Sequence, residues 1–323
     1  MLNGSGAGGA AGAAITAGSA NPGGSGLAGS SSGGGSSSGG GSNSNGGSSN
    51  GGSSSGGVDS HGGTAGDMSS SAGATTSGGM AGGGSASAGA GGLGGSGWTF
   101  PASVTKPRIM IVGDSISAGP GCYKKYLLKD LTDNGFTKFE FVGEYTDDCG
   151  GGVMHSAVSC STAEQYTHDM FMMSNCQQGK SFLGMSPLAT KHKPDLIMLQ
   201  LGVNDVWGGT PTQTTLGRYK TLIEQARAQN PKVAIVVAQI QKIRPDCGTD
   251  DSVQKRAEDL VKAVPAWAQP LSTADSPVFV ADLWTNSDWS KTETLDCVHP
   301  NDIGAQRMGM NWFNALKSIL PHG

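Results

Sequence analysis

The sequence predicts an α/β fold, with a parallel five-stranded sheet covered by helices on both faces. Strand-like and helix-like segments alternate from Trp98 to the end of the chain, which is the pattern of parallel sheets. Several strand-like segments are continuous apolar runs, as expected of strands buried on both faces. The roughly 225 residues of this region are enough for one domain with a full core.

The first element is a buried strand over Ile109–Val112, which stops at a glycine. Leucines spaced on one face then predict a helix over Tyr123–Thr132, ended by Asn134-Gly135. Residues that favour strands make Phe139–Tyr145 the second strand, and Ala163–Cys176 is expected to be helical.

The middle of the chain continues the alternation. Asp195–Leu201 is the third buried strand. A helix is expected over Thr212–Gln229 and is stopped by Asn230-Pro231. Val233–Gln239 follows as the fourth strand.

The last third adds one short strand between two helices. The first helix covers Ser252–Ala268, broken or kinked at Pro265, and the fifth strand covers Val278–Asp282. The final helix follows Pro300, because proline is accepted in the first turn, and extends to about Leu320.

Residues 1–97 differ in composition from residues 98–323. They are mostly Gly, Ser and Ala and contain no Lys, Arg, Glu or Cys. Such a segment cannot bury enough apolar surface to offset its ordering entropy, so we expect a disordered tail or linker. Its start lacks the basic residues and apolar run of a leader peptide, so a leader is not evident.

The charge pattern limits the classes of partner. The chain has 21 Lys and Arg against 25 Asp and Glu, without a run of like charge or a basic patch. Nucleic acid and anionic membrane surfaces are therefore not expected partners. No stretch is long and apolar enough to span a bilayer, and we expect a monomer.

The six cysteines all lie after residue 97. Their even number beside a long Gly/Ser segment predicts a secreted or extracytoplasmic protein with up to three disulfides; the alternative is six reduced thiols in the cytosol. We predict that Cys247 pairs with Cys297, and Cys149 with Cys160. Since Cys-x-x-Cys and His-Glu-x-x-His are missing from the sequence, no metal site is expected.

Three loops carry residues typical of acyl-transfer chemistry. They are Gly113-Asp114-Ser115, Leu201–Asp205 and Asp296–Pro300. The first two follow buried strands, whose carboxyl ends share one edge of a parallel sheet. The third reaches that edge if the final helix packs on the sheet. Each loop also has a simpler interpretation, as a helix cap or an Asn/Asp turn, so the prediction depends on their combination.

Together these residues provide a nucleophile, a base and an oxyanion site. The Ser115 hydroxyl needs a base, and His299 suits this role because an unperturbed histidine has a pKa of about 6.5. Asp296 can accept a hydrogen bond from the Nδ1–H group of His299 and so orient the ring. The Asn204 amide and the Ser115 backbone N–H are candidate oxyanion donors.

These motifs resemble three sequence blocks of the SGNH hydrolases, also called GDSL esterases and lipases. The similarity covers about Lys106–Leu320 and rests on Gly113–Ile116, Gly202–Asp205 and Asp296–His299. The resemblance implies a flavodoxin-like three-layer α/β/α sandwich, an exposed shallow site and no cofactor. It also implies Ser115 as nucleophile, His299 as base, Asp296 as its orienting acid, and Asn204 and Ser115 in the oxyanion hole.

A second block of the family supplies a glycine N–H as a third oxyanion donor. In the comparable run His155–Ala163, Cys160 stands where that glycine is expected, and its backbone N–H can keep the role. Gly150-Gly151-Gly152 is an alternative. Cysteine is less suited than glycine to a positive φ.

Two short segments narrow the resemblance to carbohydrate acetyl esterases, such as acetyl xylan esterases. They are the pair His155 and Ser159 and the stretch Val298–Gly304. The first hypothesis is thus a serine esterase that removes short acyl groups from a polysaccharide through an acyl-enzyme. The alternatives are an esterase or lipase for simple or lipid esters, and a non-catalytic carbohydrate-binding surface protein.

Aromatic and histidine residues outside the motifs have more than one interpretation. Three tryptophans could line a sugar-binding cleft, although core packing or loop anchoring is the simpler role for each. Three histidines are interpreted as surface or loop residues and not as ligands. The two sets are Trp207, Trp284 and Trp289, and His155, His168 and His192.

Overall fold

The computed structural model describes residues 97–146, 149–246 and 251–323. The predicted disordered tail therefore lies, except for its last residue, outside the described residues, and so does Cys247. Within the described ranges, the strands are β1 Arg108–Gly113, β2 Glu140–Val142, β3 Tyr145–Thr146, β4 Met154–His155, β5 Met170–Met172, β6 Ser181–Leu183, β7 Leu196–Gln200, β8 Ala234–Gln239 and β9 Val278–Asp282.

Helices connect most of these strands. In the same described part of the chain they are α1 Ser115–Ala118, α2 Tyr123–Asp133, α3 Ala163–Tyr166, α4 Met185–His192, α5 Val203–Trp207, α6 Thr212–Gln229, α7 Asp251–Ala268 and α8 Asp302–Leu316, with a 3₁₀ turn over Gln269–Leu271. None of these helices combines the length and the apolarity needed to cross a bilayer.

A parallel five-stranded sheet forms the centre, in the order β2-β1-β7-β8-β9. β1 is buried along Ile109–Val112 because strands flank it on both sides and helices cover both its faces. Its last residue, Gly113, pairs with Gln200 at the end of β7, so the two strands stop side by side. The loops that carry Ser115 and Asn204 therefore start at the same edge.

Helices cover both faces of this sheet. α2 packs against α8, whereas α6 packs against α4 and α7. The chain steps outward from β1 to β2 in one direction and from β7 to β9 in the other, so right-handed crossovers place the two helix groups on opposite faces. This confirms the predicted three-layer α/β/α class.

Two predicted elements near the site are wrong in extent. The expected helix over Ala163–Cys176 ends at Tyr166, and the chain continues as the hairpin β5–β6. The hairpin forms because Phe171 faces inward and packs on Tyr166 and Phe182. The second predicted strand also ends early, because Tyr145 leaves the sheet to pair with His155 of β4.

The structure tests one of the two predicted disulfides. The structure pairs Cys122 with Cys149 and Cys160 with Cys176, at Cα separations of 5.5 and 6.1 Å, so the predicted Cys149–Cys160 bond is wrong. The hairpin brings Cys176 to Cys160, which leaves Cys149 for the start of α2. Cys297 is disulfide-bonded. Its predicted partner, Cys247, lies outside the described residues.

Candidate active site

Ser115 stands at the first turn after β1. It opens α1, and the preceding Asp114 is the N-cap, whose side chain accepts the Ile116 N–H at 3.0 Å. The helix-cap interpretation of this loop therefore applies to Asp114. The Ser115 hydroxyl lies instead 2.8 Å from Nε2 of His299.

His299 connects this serine to a carboxylate. Its Nδ1 lies 2.7 Å from Oδ2 of Asp296, on the ring side opposite the serine. When Nδ1 donates its proton to the carboxylate, Nε2 is the nitrogen that can accept one from Ser115. Residues separated by 184 positions in sequence thus form one continuous hydrogen-bonded chain.

Asp296 is held in place by the loop that contains it. Its Oδ1 accepts the backbone N–H groups of Val298 and His299, each at 2.9 Å. Partial burial acts to raise the pKa of Asp296, but these bonds and the His299 ring outweigh it and lower that pKa. The carboxylate therefore stays ionised and keeps its acceptor facing the imidazole.

Two groups that the sequence did not single out support this loop. Arg244 donates to the Asp296 carbonyl oxygen at 2.9 Å. The Glu293 carbonyl accepts the Asn301 N–H at 2.9 Å just after the loop, and its side chain, 2% exposed, pairs with Arg307 at 2.7 Å and accepts the Trp289 N–H at 2.9 Å. Neither group belongs to a recognisable motif, and Arg244 lies 52 positions before Asp296 in the sequence.

A short extended segment runs along the end of β1. The Ser156 N–H donates to the Ile111 carbonyl at 2.8 Å, and the Val158 N–H to the Gly113 carbonyl at 3.0 Å. The Gly113 carbonyl also accepts the Tyr166 hydroxyl at 2.9 Å. Residues 156–158 are thereby attached to the strand that delivers the serine.

This attachment brings Cys160 and Asn204 together. Cys160 has φ +66°, the left-handed conformation that favours glycine, as the resemblance to a glycine position suggested. Asn204 on α5 donates through Nδ2 to the Ser161 carbonyl at 2.9 Å, next to Cys160. Within the described residues, the backbone N–H groups of Ser115 and Cys160 have no acceptor, so both can bind a ligand oxygen.

The alternative glycine run lies elsewhere. A Cβ placed on Gly151 would lie 3.5 Å from the Cα of Lys125, so this run packs on α2. Gly150 and Gly152 both have positive φ, at +84° and +63°, and shape the turn after Cys149. The neighbour of the β1 end is therefore the Cys160 segment.

Buried acids surround the site. Asp205 accepts the Ala163 N–H and pairs with Arg218, both at 2.9 Å, which ties α5 to the segment after Cys160. Burial is the main cause that raises the pKa of Asp114 to about 7, and the nearby Asp205 charge adds to it. The acid of the Gly202–Asp205 motif, Asp205, thus has a structural role.

The remaining candidates divide by burial. Trp289 is 2% exposed and Trp284 packs on the core, and both line a cavity of about 520 Å³, whereas Trp207 is exposed at the end of α5. His155 is 3% exposed, so its interpretation as a surface or loop residue is wrong. Among the residues described, no group of three or more His, Cys, Asp or Glu side chains could hold a metal ion.

Comparison with known proteins gives one family match. The model of the GDSL-like lipase/acylhydrolase family matches residues 111–307. A multidomain esterase of Ruminococcus flavefaciens is 28% identical over 235 residues, which cover 66% of this chain. The match spans only 29% of that relative's length.

Solved structures give the same fold. A carbohydrate esterase of family 3 from Talaromyces cellulolyticus is 25% identical, with a TM-score of 0.55 over 65% of this chain and 96% of its own. A family 3 carbohydrate esterase of Clostridium thermocellum is 21% identical, with a TM-score of 0.51 over 66% of this chain and 96% of its own. The second likeness shows the fold alone.

Proposed function

The chain belongs to the GDSL-like lipase/acylhydrolase family, and from this premise we propose that it is a serine esterase that removes acetyl or other short acyl groups from a polysaccharide such as xylan. The observation that carries the proposal is the hydrogen-bonded chain from Ser115 through His299 to Asp296, with distances of 2.8 and 2.7 Å. A hydroxyl paired with an oriented imidazole is the arrangement that activates serine for attack on a carbonyl.

The first half-reaction forms an acyl-enzyme. The Ser115 Oγ attacks the ester carbon while His299 Nε2 takes the hydroxyl proton. The negative charge that develops on the carbonyl oxygen is stabilised by the Ser115 and Cys160 N–H groups and the Asn204 amide. The tetrahedral intermediate then collapses: the C–O bond to the sugar breaks, and the imidazolium protonates the leaving oxygen.

The second half-reaction repeats these roles with water. His299 takes a proton from the attacking water, the acyl carbon becomes tetrahedral again, and Ser115 leaves with the proton returned to it. Asp296, ionised and fixed by its backbone bonds, stabilises the imidazolium in both halves.

The polysaccharide substrate is proposed from similarity and from the openness of the site. The relative from Ruminococcus is an esterase, and the Talaromyces structure is a carbohydrate esterase. The side chains of His299 and Asp296 are 21% and 53% exposed, so a polymer can approach the reacting atoms. We place the catalytic domain in residues 98–323.

The disulfides favour a location outside the cytoplasm. Cys122–Cys149 and Cys160–Cys176 are bonded, and such bonds persist in oxidising compartments. An extracytoplasmic location also suits a polymeric substrate, which does not enter cells. We therefore propose a secreted or extracytoplasmic esterase.

The proposal is tested with Ser115→Ala and a matched exposed control, Ser318→Ala. Ser115→Ala is expected to abolish turnover of p-nitrophenyl acetate and labelling by a serine-reactive phosphonate, with an unchanged melting temperature. Ser318→Ala should keep both. Full activity of Ser115→Ala would remove the nucleophile from the proposal, and an unlabelled, inactive wild type would favour the non-catalytic alternative.

The substrate class needs a second comparison. We expect the wild type to release acetate from acetylated xylan faster than butyrate from tributyrin. The opposite preference would replace the polysaccharide with simple or lipid esters while leaving the serine mechanism intact.

A further inference from the structure

A second cavity lies between the end of α1 and the strands β3 and β4. Its volume is about 190 Å³, and its wall includes Ala118, Tyr145, His155, Ser159, Gln177 and Phe182. Ala118 closes α1, about 4.5 Å along the helix axis from Ser115 at the helical rise per residue. Ser159 directly precedes Cys160. The cavity therefore touches the two segments that carry the nucleophile and an oxyanion donor.

His155 is the buried polar side chain of this wall. It is 3% exposed, and its Nδ1 accepts the Ala157 N–H at 3.2 Å. A neutral imidazole that accepts at Nδ1 carries its proton on Nε2. In the described ranges, that Nε2 has no hydrogen-bond partner and is not a fully enclosed atom, so it can donate to a ligand.

The electrostatic surroundings keep this ring neutral. Burial, and then the positive charge of Lys124, lower the pKa of His155 to about 4. At neutral pH the ring is therefore a fixed donor at Nε2 and not a proton acceptor for catalysis. This separates its role from that of His299.

The composition of the wall indicates the kind of ligand. Polar groups come from His155, Thr146, Ser159 and Gln177, and the Phe182 ring provides an apolar side. A short acyl group needs only an apolar wall, whereas a sugar ring offers hydroxyls around its edge and C–H groups on its face. At about 30 Å³ per water molecule, the space equals about six waters, enough for one sugar ring.

The Cys160–Cys176 disulfide fixes this wall relative to the reacting centre. Cys160 is the candidate oxyanion residue, and Cys176 directly precedes Gln177 of the wall. The bond thus holds Gln177 close to Cys160. A ligand in the cavity would therefore lie at a defined distance from the ester carbon.

We propose that this cavity is a subsite for a sugar ring of the ester substrate, and that the His155 Nε2–H determines specificity by donating to a ring hydroxyl. The inference rests on the proposed esterase function and adds the place where the saccharide binds. It predicts that His155 affects sugar esters and not esters without a sugar.

Two substitutions distinguish the hydrogen-bonding roles of the two ring nitrogens of His155. In His155→Asn, the side-chain oxygen can replace Nδ1 as acceptor for the Ala157 N–H, but the donor into the cavity is lost. In His155→Gln, the amide can replace the Nε2–H donor. We measure kcat/KM with an acetylated xylo-oligosaccharide and with p-nitrophenyl acetate, and the melting temperature of each variant.

The expected result is a change in the ratio of the two activities. His155→Asn should lose about tenfold to 100-fold in kcat/KM on the oligosaccharide and stay within twofold on p-nitrophenyl acetate. His155→Gln should keep at least a third of the oligosaccharide activity. A wild-type ratio in His155→Asn, or equal losses on both substrates, would overturn the subsite.

Failure of the proposed esterase function would give a different set of results from failure of the subsite alone. A wild type that cleaves p-nitrophenyl acetate but no acetylated saccharide would refute the carbohydrate substrate and the subsite together. A wild type that cleaves both, with His155→Asn unchanged in ratio, would refute the subsite alone. A lower melting temperature in both variants with equal losses on both substrates would assign His155 to the support of the fold, which also refutes the subsite.

Discussion

Asp296→Asn tests the orientation of the imidazole most directly. In the native loop, Oδ1 accepts two backbone N–H groups and Oδ2 accepts the His299 Nδ1–H. The asparagine amide has only one oxygen. If that oxygen keeps the two backbone bonds, the NH₂ group faces Nδ1 and forces its proton to Nε2, where the ring can no longer accept one from Ser115.

The size of the loss follows from the alternative orientation. Turning the amide restores the active tautomer but leaves the Val298 and His299 N–H groups without an acceptor. We assign about 1–2 kcal/mol to each, the lower part of the usual range, because the Asp296 side chain is 53% exposed. A total of about 2–4 kcal/mol corresponds to a decrease in kcat/KM of about 30-fold to about 10³-fold.

The assay is kcat/KM on p-nitrophenyl acetate, with the melting temperature measured in parallel. The control is Asp302→Asn, an exposed acid in the first turn of α8 that pairs with Lys125 and lies outside the hydrogen-bonded chain. It should stay within twofold of the wild type. Activity of Asp296→Asn within threefold of the wild type, with the fold intact, would refute the reasoning.

Three further predictions concern neighbouring groups. Asn204→Ala should lower kcat by about 10²-fold to 10³-fold with KM little changed, and an unchanged kcat would exclude this amide as an oxyanion donor. Asp114 has a pKa near 7 in the fold against an ordinary 3.8, so the folded state retains a proton that the unfolded state loses between pH 4 and 7. The contribution of Asp114 to the free energy of unfolding therefore falls by about 4 kcal/mol as pH rises through that interval. In urea unfolding measured at several pH values, Asp114→Asn should lack this fall in stability. The same dependence of stability on pH in wild type and variant would contradict the prediction. Replacing the Cys160–Cys176 or the Cys122–Cys149 pair by serines should cost about 3 kcal/mol of stability each, from closed loops of 16 and 27 residues, but only the first should also lower kcat/KM.

The parts of the site that could be predicted from the sequence lie in short contiguous motifs next to strands with clear apolar runs. Ile109–Val112 could be recognised as a buried strand from its apolar run alone, and this placed Ser115 at a sheet edge. Asp296 and His299 are three residues apart, so their hydrogen bond could be expected before any fold was known. The Ser115–His299 contact followed only from the assumption that the last helix packs on the sheet.

The parts that sequence missed depend on contacts between distant segments. The predicted Cys149–Cys160 pairing is wrong because spacing does not encode which thiols meet, and the sequence predicts a helix where the hairpin brings Cys176 to Cys160. The burial of His155 could not be predicted because the ring packs on Tyr145 of the neighbouring strand β3, which no local pattern connects to it. Arg244 and Glu293 support the loop that carries Asp296 and His299 from outside every motif.

The carbonyl group of Gly113 has a consequence for how the enzyme tolerates heat. It accepts donors from Val158 and Tyr166 at the point where the chain turns toward Ser115. Thermal displacement of that strand end is therefore expected to carry Ser115 and the segment before Cys160, the proposed nucleophile and oxyanion donor, along as one fragment with their spacing kept. The Cys160–Cys176 bond extends this fragment to Gln177 of the cavity wall, so on warming we expect the preference among sugar esters and the capacity to split a small ester to decline together.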